Sequence, residues 1–171
     1  RNAIHRKILR LDHSNPSTMV IDELGVSHGR KRVDIAVLNG QLHGYEIKSS
    51  KDNLKRLEEQ VHAFEKVFHK LTLVAAPSHI AAALDVLPDW FGVVEARKGV
   101  RGAIHFRRIK STRVNPNVDP FEMAHLLWKS EVLDILNSTG SINGSKNESR
   151  KRLYKYLIDH IPKDEVYQQV K

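Results

Sequence analysis

Residues 32–48 read RVDIAVLNGQLHGYEIK, and this stretch decides the fold. Apolar and polar residues alternate before and after Asn39-Gly40, a dipeptide that is frequent in hairpin turns. The stretch therefore predicts a β-hairpin whose second strand is Leu42–Lys48. Because side chains alternate across a strand, Glu46 and Lys48 project from the same face. A carboxylate and a cation placed in this way form either a simple ion pair or part of an active site.

The segments around this hairpin predict an α/β fold. Apolar, β-branched residues at 17–26 predict a preceding strand, which makes a meander of three strands. Apolar residues then recur at spacings of three and four over residues 54–68, as in an amphipathic helix that packs on a sheet. The order βββαβαββ predicts a mixed central sheet flanked by helices, because a helix between two strands forms a parallel crossover. The later strand, helix, strand and strand are predicted at residues 71–75, 78–87, 91–95 and 103–108.

The composition changes once along the chain, at residues 111–120. This stretch, STRVNPNVDP, combines two prolines with two asparagines and few apolar residues. We interpret it as a connector between a core at residues 1–110 and a small helical C-terminal appendage at residues 121–171. Helical patterns at 121–137 and 148–160 make up the appendage.

The composition excludes several classes of site and favours others. The 171 residues include no cysteine, which excludes disulfides, thiol nucleophiles and Cys-ligated zinc. Because neither a run of about 18 apolar residues nor a secretory leader is visible, we expect a cytoplasmic protein without a membrane span. The formal net charge of +8 and the pI of about 9.8 favour a polyanionic partner, with general solubility charge as the alternative. Any metal must therefore be held by oxygen or histidine ligands.

The length of the hairpin turn decides which side chains join Glu46. A two-residue turn would pair Asp34 with Tyr45 and place Asp34 on the other face of the hairpin. A three-residue loop over residues 38–40, with its glycine in the left-handed conformation, would pair Asp34 with Gly44 and bring Asp34 to the face of Glu46. In that register Gly44 leaves room for an ion beside Asp34. A shared site therefore requires the three-residue loop.

Two carboxylates on one face would offer oxygen ligands to a metal. Asp34, Glu46 and the backbone carbonyl of Ile47 form a set suited to Mg²⁺, which keeps several waters and binds phosphate oxygens. Lys48 could then orient or help deprotonate a metal-bound water, or stabilise charge on a phosphate. The alternative is structural: Glu46 and Lys48 form only an ion pair, and Asp34 caps the backbone or pairs with Arg32.

The spacing of these residues resembles the motif of the PD-(D/E)xK nuclease superfamily. Asp34 is followed after eleven residues by Glu46-Ile47-Lys48, inside a hairpin that precedes a helix, and valine stands where the motif has proline. The wider run over residues 21–60 is similar to a group of small bacterial and phage-associated proteins in that superfamily. The resemblance implies a restriction-endonuclease-like αβββαβ core and a metal-dependent nuclease, with Mg²⁺ or Mn²⁺ as cofactor and DNA as the preferred substrate.

The resemblance also implies roles for individual residues. Asp34, Glu46 and Glu23 would bind the metal, while Lys48 and Gln60 would complete the catalytic site. For Glu23 and Gln60 the alternatives are an exposed charge at a strand end and a solvated helix residue. Two rival functions are a catalytically inactive nuclease fold that binds nucleic acid and a hydrolase of other phosphate esters. Many members of the superfamily form homodimers, so a homodimer is an expectation of the resemblance alone.

Basic residues flank the motif on both sides and predict contacts with phosphates. Solvated surface is the alternative for each of them. No His-Glu-x-x-His pattern is present among the ten histidines. His28 is the one histidine to test as a zinc ligand, because it lies near Glu23 in the sequence. The candidate nucleic-acid contacts are Arg30, Lys31, Arg32, Lys51, Lys55 and Arg56.

Overall fold

A mixed six-stranded sheet forms the centre of the protein, as the sequence predicts. The computed structural model describes residues 1–26, 29, 31–140, 148–162 and 165–166. The strands are β1 (Met19–Val26), β2 (Lys31–Leu38), β3 (Leu42–Lys48), β4 (Lys70–Ala75), β5 (Gly92–Lys98) and β6 (Ile104–Lys110). They lie side by side in the order of the sequence. Strands β3, β4 and β5 are parallel, and the other neighbours are antiparallel.

Along the chain, helices lie before, between and after the strands. A short 3₁₀ turn at Pro77–His79 leads into the helix after β4. The α-helices are α1 (Asn2–Lys7), α2 (Arg10–Ser14), α3 (Leu57–Phe64), α4 (Ile80–Val86), α5 (Pro120–Ala124), α6 (Lys129–Ser138) and α7 (Arg150–His160).

The helices differ more from the sequence prediction than the strands do. Helices α1 and α2 were not predicted from the residue pattern, because six and five residues are too few to show a helical period. The pattern at 121–137 divides into α5 and α6, since the Glu131 carboxylate accepts the Trp128 N–H at 2.6 Å and starts a new helix. Helix α3 is shorter than the predicted 54–68, and it begins only at Leu57.

Two apolar cores lie on the two faces of the sheet. One core contains residues of α3 and the following turn, such as Phe64 and Phe68, packed against Leu71 and Leu73 of β4. The core on the other face is smaller, and apolar residues of the N-terminal segment before β1 cover it. Its buried residues are Ile4, Leu9, Ile35, Val37, Tyr45 and Val74. The sheet is therefore buried on both faces, which the unbroken apolar run of β4 requires.

The C-terminal helices share a separate apolar cluster. Val132 and Leu136 of α6 pack there with Leu153 and Leu157 of α7. The fully described stretch 111–119 lacks regular secondary structure. Its buried Asn115 donates side-chain hydrogen bonds to the carbonyls of Glu65 at 2.5 Å and Phe68 at 2.8 Å, which fastens the stretch to the core. The division into a core, a connector and an appendage stays a prediction. Within the described ranges, every helix is too short or too polar to cross a membrane.

The hairpin turn has three residues, but it is neither the two-residue turn nor the loop over residues 38–40 that the sequence left as alternatives. Leu38 pairs with Leu42 and Ala36 with Gly44, so the loop comprises residues 39–41, with Gly40 at a φ of 85°. Continuing this register places Asp34 opposite Glu46, on one face, rather than opposite Gly44. The prediction that Gly44 makes room for an ion is wrong. A Cβ at Gly44 would lie 2.6 Å from Leu71 Cδ2, so this glycine makes room for the apolar core.

Candidate active site

Strands β2 and β3 separate at Asp34. Their pairing runs from Leu38 only as far as Ile35. Beyond that point Asp34 Oδ2 accepts a hydrogen bond from the backbone N–H of Ile47 at 2.7 Å. In a continuous β-ladder a backbone carbonyl oxygen would accept this hydrogen bond instead. The hydrogen bond fixes the carboxylate of Asp34 in the opening between the two strands.

Strand β1 is distorted at the same level of the sheet. Glu23 has a φ of 57°, and the pairing of β1 with β2 omits Glu23 and its neighbour Asp34. Side chains two residues apart in a strand should share a face, yet Val33 and Ile35 lie in the cores on opposite faces. A left-handed backbone costs a non-glycine residue about 1 kcal/mol or more. Such a residue is retained where the surrounding structure requires it, often at a functional site.

Arg1 bridges the two carboxylates at this distortion. Its Nη2 contacts Glu23 Oε1 and donates to Asp34 Oδ1 at 3.2 Å. The hydrogen bond with Glu23 is the largest cause that raises the pKa of Arg1 above its ordinary value. Arg32 lies 3.7 Å from Glu23, so the predicted alternative partner of Asp34 is bound to a different carboxylate. Sequence spacing did not identify Arg1, because only the packing of α1 beside the sheet places it here.

Glu46, Lys48 and Gln60 form a closed triangle of hydrogen bonds. Lys48 Nζ donates to Glu46 Oε1 and to Gln60 Oε1, both at 2.8 Å, and Gln60 Nε2 donates to Glu46 Oε1 at 2.7 Å. Glu46 is 4% exposed and Lys48 9% exposed. Of the two positions that the sequence leaves open for Gln60, the side chain takes the one on the sheet, where it accepts the hydrogen bond from Lys48. The predicted ion pair exists, and it lies in the same opening as Asp34.

The second oxygen of Glu46 makes this triangle suitable for a metal. Glu46 Oε2 is buried without a hydrogen-bond partner among the described residues. Burial raises the pKa of Glu46 above its ordinary value, against the hydrogen bond from Lys48, while the charge of Asp34 raises it further. A divalent cation would satisfy this oxygen and hold the carboxylate ionised, and oxygen ligands suit Mg²⁺ or Mn²⁺. Within the described ranges, however, no cluster of three or more His, Asp or Glu side chains is close enough to hold an ion by itself.

The predicted nucleic-acid contacts fall into three groups. Lys31 is bound to α3 by an ion pair with Glu59 at 2.6 Å, and Arg32 pairs with Glu23. Arg30 and His28 lie outside the described residues. The exposed cations between β3 and α3 are Lys51, Lys55 and Arg56. The structure thus places three of the six beside the exit of β3 with accessible side chains.

A row of facing residues extends the site across the sheet. Lys48 pairs with Ala75, Ala75 with Glu95 and Glu95 with Arg107, all in register. The buried Glu95 accepts hydrogen bonds from Arg97 at 3.4 Å and Arg107 at 3.3 Å. Both arginine side chains are about two-thirds exposed, at 65% and 69%. Glu95 is not among the site residues predicted from the sequence, although a carboxylate at the end of an apolar strand was the available signal.

Comparison with known proteins assigns the chain to a family. A family model described as bacteriophage P4 protein cII matches residues 2–171. The chain belongs to the bacteriophage P4 protein cII family. Protein cII of Enterobacteria phage P4 is 36% identical over 121 residues, which are 71% of this chain and 46% of the phage protein. The chain therefore spans less than half the length of this curated cII relative.

One solved structure is similar to this cII-family chain. The SPO1766 protein of unknown function from Silicibacter pomeroyi has a TM-score of 0.46 and 16% sequence identity, over 82% of this chain and 89% of that chain. Neither the family description nor this structure names an activity. The chemistry of this cII-family chain must therefore be argued from its own residues.

Proposed function

We propose that this cII-family chain is a metal-dependent nuclease of the PD-(D/E)xK type, with a restriction-endonuclease-like core. One observation carries the proposal: a buried lysine, a buried carboxylate and a partly buried amide converge beside Asp34 in an opening between two strands. A purely structural ion pair would have no need of this opening or of an unpartnered buried carboxylate oxygen.

Asp34 and Glu46 would hold a Mg²⁺ or Mn²⁺ ion. When bound, the ion activates a water and stabilises charge on the phosphate. Asp34 Oδ2 is fixed by the Ile47 N–H, which leaves Oδ1 free to exchange Arg1 for the ion. Glu46 would use the oxygen that lacks a partner, while its other oxygen stays bound to Lys48 and Gln60. Glu23 would join the ligands directly or through water.

Lys48 and Gln60 would act on the reacting groups. Lys48 is held rigidly by two acceptors, so its ammonium group can orient the attacking water or hold a non-bridging phosphate oxygen. Gln60 positions Lys48 and Glu46 together, because its amide donates to one and accepts from the other. Preorganised donors of this kind do not have to reorient during the reaction.

DNA is the preferred substrate in this proposal. The net charge of +8 favours a polyanion, and accessible cations lie on both sides of the opening. Lys51, Lys55 and Arg56 follow β3, while Arg97 lies two strands away and Arg107 three strands away, at the other end of the row that starts at Lys48. A cytoplasmic location and a homodimer are further parts of the proposal. Light scattering of the purified protein would determine its oligomeric state.

Cleavage assays with three variants test the nuclease proposal. We expect Asp34→Ala and Lys48→Ala to lower the rate of Mn²⁺-dependent DNA cleavage by at least about 100-fold, since the first removes a metal ligand and the second a group that acts on the reacting phosphate. Lys151→Ala removes an exposed lysine of α7 and should cleave at the wild-type rate. Equal cleavage by all three variants would assign the activity to another site or to a contaminant.

Binding without cleavage is the second candidate function. The position of Arg1 favours this function. Its guanidinium pairs with Glu23 and Asp34, the carboxylates that would otherwise be available to a metal ion. A protein of this kind would bind DNA with the same affinity in chelator and in Mn²⁺, and no substrate among linear, nicked, branched and single-stranded DNA would be cut. A hydrolase of other phosphate esters would instead act on a small ester without competition from DNA at low salt.

A further inference from the structure

A second polar pocket lies on the face of the sheet opposite Glu46 and Lys48. It is a cavity of about 320 Å³. Tyr45 and Val94 contribute to its lining and belong to the smaller core, whereas Glu46 projects to the other side of the same strand. The sheet therefore separates this pocket from the candidate active site.

A chain of hydrogen bonds runs along the wall of the pocket. His43 Nε2 is 2.8 Å from Thr72 Oγ1, and Thr72 Oγ1 is 2.7 Å from Thr112 Oγ1. The ring of Tyr45 stacks on His43 at a centroid distance of 4.3 Å. The approach of Thr112 depends on Gly92, because a Cβ there would lie 1.9 Å from Thr112 Oγ1. The end of β5 is thus shaped to admit the threonine.

The pocket wall has a defined charge. Lys70, Arg108 and Lys110 line the cavity, and among the described residues no carboxylate does so. Lys110 is already engaged, since it donates to the Pro88 carbonyl at 2.9 Å. In the described part of the chain, Lys70 and Arg108 have no carboxylate within 4.0 Å, so two positive charges are available to a ligand. Asp12 interacts with Tyr45 from outside the lining.

His43 is neutral in this pocket, and the ring nitrogen that carries its proton decides which groups along the chain of hydrogen bonds can donate. Burial, and then the charge of Lys70, lower the pKa of His43 to about 4. A neutral imidazole has one donor and one acceptor. With the proton on Nε2, His43 donates to Thr72, and the Thr72 O–H can then donate to Thr112, which leaves the Thr112 O–H able to donate into the cavity.

We propose that this pocket binds a phosphate monoester group. A monoester carries a charge of about −1.5 to −2 at pH 7, which two cations match and which exceeds the single charge of a phosphodiester. Lys70 and Arg108 would pair with its oxygens, and Thr112 would donate a hydrogen bond. The volume is at the lower end of ligand cavities, which suits a mononucleotide or the 5′-phosphorylated end of a strand. The proposal does not depend on nuclease activity.

Calorimetric titration with thymidine 5′-monophosphate, inorganic phosphate and thymidine tests the pocket. We expect the two phosphates to bind and thymidine not to bind. Arg108→Gln should weaken phosphate binding about tenfold or more, since it removes a charged hydrogen-bond donor. Thr112→Val should weaken it severalfold. Arg101→Gln, which removes an exposed arginine between β5 and β6, should bind as the wild type does.

Two further arms separate the sources of the phosphate and the two proposals. A hexanucleotide with a 5′-phosphate that binds more tightly than its 5′-hydroxyl form, with the difference lost in Arg108→Gln, would identify a strand end as ligand. A free mononucleotide is the ligand if the two hexanucleotides bind equally. Asp34→Ala should keep phosphate binding whether or not the protein is a nuclease. Equal binding by the wild type, Arg108→Gln and Thr112→Val, or equal weakening in Arg101→Gln, would overturn the assignment.

Discussion

Lys48 is a cation with little access to water, and two hydrogen-bond acceptors compensate the burial of its charge. Glu46 and Gln60 accept its hydrogen bonds, so each charge of the pair compensates the burial of the other. Such pairs contribute little net stability compared with an apolar substitute, but the loss of one partner leaves a buried charge alone. The pair therefore makes a strong prediction about single and double substitutions.

We expect Lys48→Met to lower the free energy of unfolding by about 3 kcal/mol, because Glu46 is then buried without the cation that compensates it. Urea unfolding at pH 7 would measure the change, and Lys151→Met on the surface of α7 is the matched control. The double variant Glu46→Gln with Lys48→Met should recover part of the loss. A double variant less stable than Lys48→Met would show that the ion pair is not the cause.

His43 predicts a separate dependence of stability on pH. Its pKa is lowered from 6.5 to about 4 in the folded protein, so the unfolded chain binds more protons between these values. Stability from this residue is full above pH 6.5 and is lost as the pH falls towards 4, by about 3 kcal/mol in all. In His43→Gln the free energy of unfolding should vary less over this range. His105→Gln, at an exposed position, should keep the wild-type slope.

The candidate site was predictable where it depends on local spacing. Asp34, Glu46 and Lys48 share a face because of a period of two and an odd-numbered loop, and Gln60 follows from the helical period. Arg1 and Glu95 were not predictable in this way. Arg1 meets Glu23 and Asp34 across 22 and 33 residues, and that contact depends on packing of the whole N-terminal segment.

At the scale of elements, Gly44 connects the hairpin to the helix side of the sheet. Gly44→Ala would place its Cβ 2.6 Å from Leu71 and 3.0 Å from Phe68, both fully buried. We expect a loss of about 1–3 kcal/mol in unfolding free energy from this overpacking. Gly25→Ala in β1 is the control, because its nearest neighbour would be at 3.4 Å. Equal stability of the two variants would mean that the core yields freely at Gly44.

The strands were predictable to within a few residues, and so were α4 and α7, whereas the bounds of α3 and the break between α5 and α6 were not. A strand such as 42–48 shows its period in a few residues and is bounded by turns. The helix at 54–68 was overpredicted, because Leu54 and Phe68 also pack in the core from turns outside α3. Apolar spacing records which residues are buried, and it does not record where the helical hydrogen bonds stop.

At the scale of the whole molecule, positive charge on one end of the sheet predicts how DNA binding responds to salt. Arg97 and Arg107 are both exposed and both anchored to Glu95. Each phosphate contact contributes about 0.9 to the slope of log affinity against log salt concentration for duplex DNA. The double variant Arg97→Gln with Arg107→Gln should therefore reduce the slope by about 2. Fluorescence anisotropy at several salt concentrations measures it.

The control for this prediction removes the same charge elsewhere. Arg101→Gln with Lys151→Gln also lowers the net charge by two, but both residues lie away from the row that starts at Lys48. Its slope should equal that of the wild type. If both double variants reduce the slope equally, total charge controls binding, and the arginines at Glu95 have no particular role.

The order of the strands also bears on how the chain folds. Every pair of neighbouring strands is consecutive in the sequence, so no pairing has to wait for a strand from a distant part of the chain, and the sheet can grow outward from the hairpin. Some hydrogen bonds join segments that are much farther apart along the chain. Lys7 donates to the carbonyl of Ile104 across 97 residues, and Asn115 reaches the core across about half that separation. We expect these contacts to form after the rate-limiting step, so weakening them should accelerate unfolding and leave the folding rate nearly unchanged.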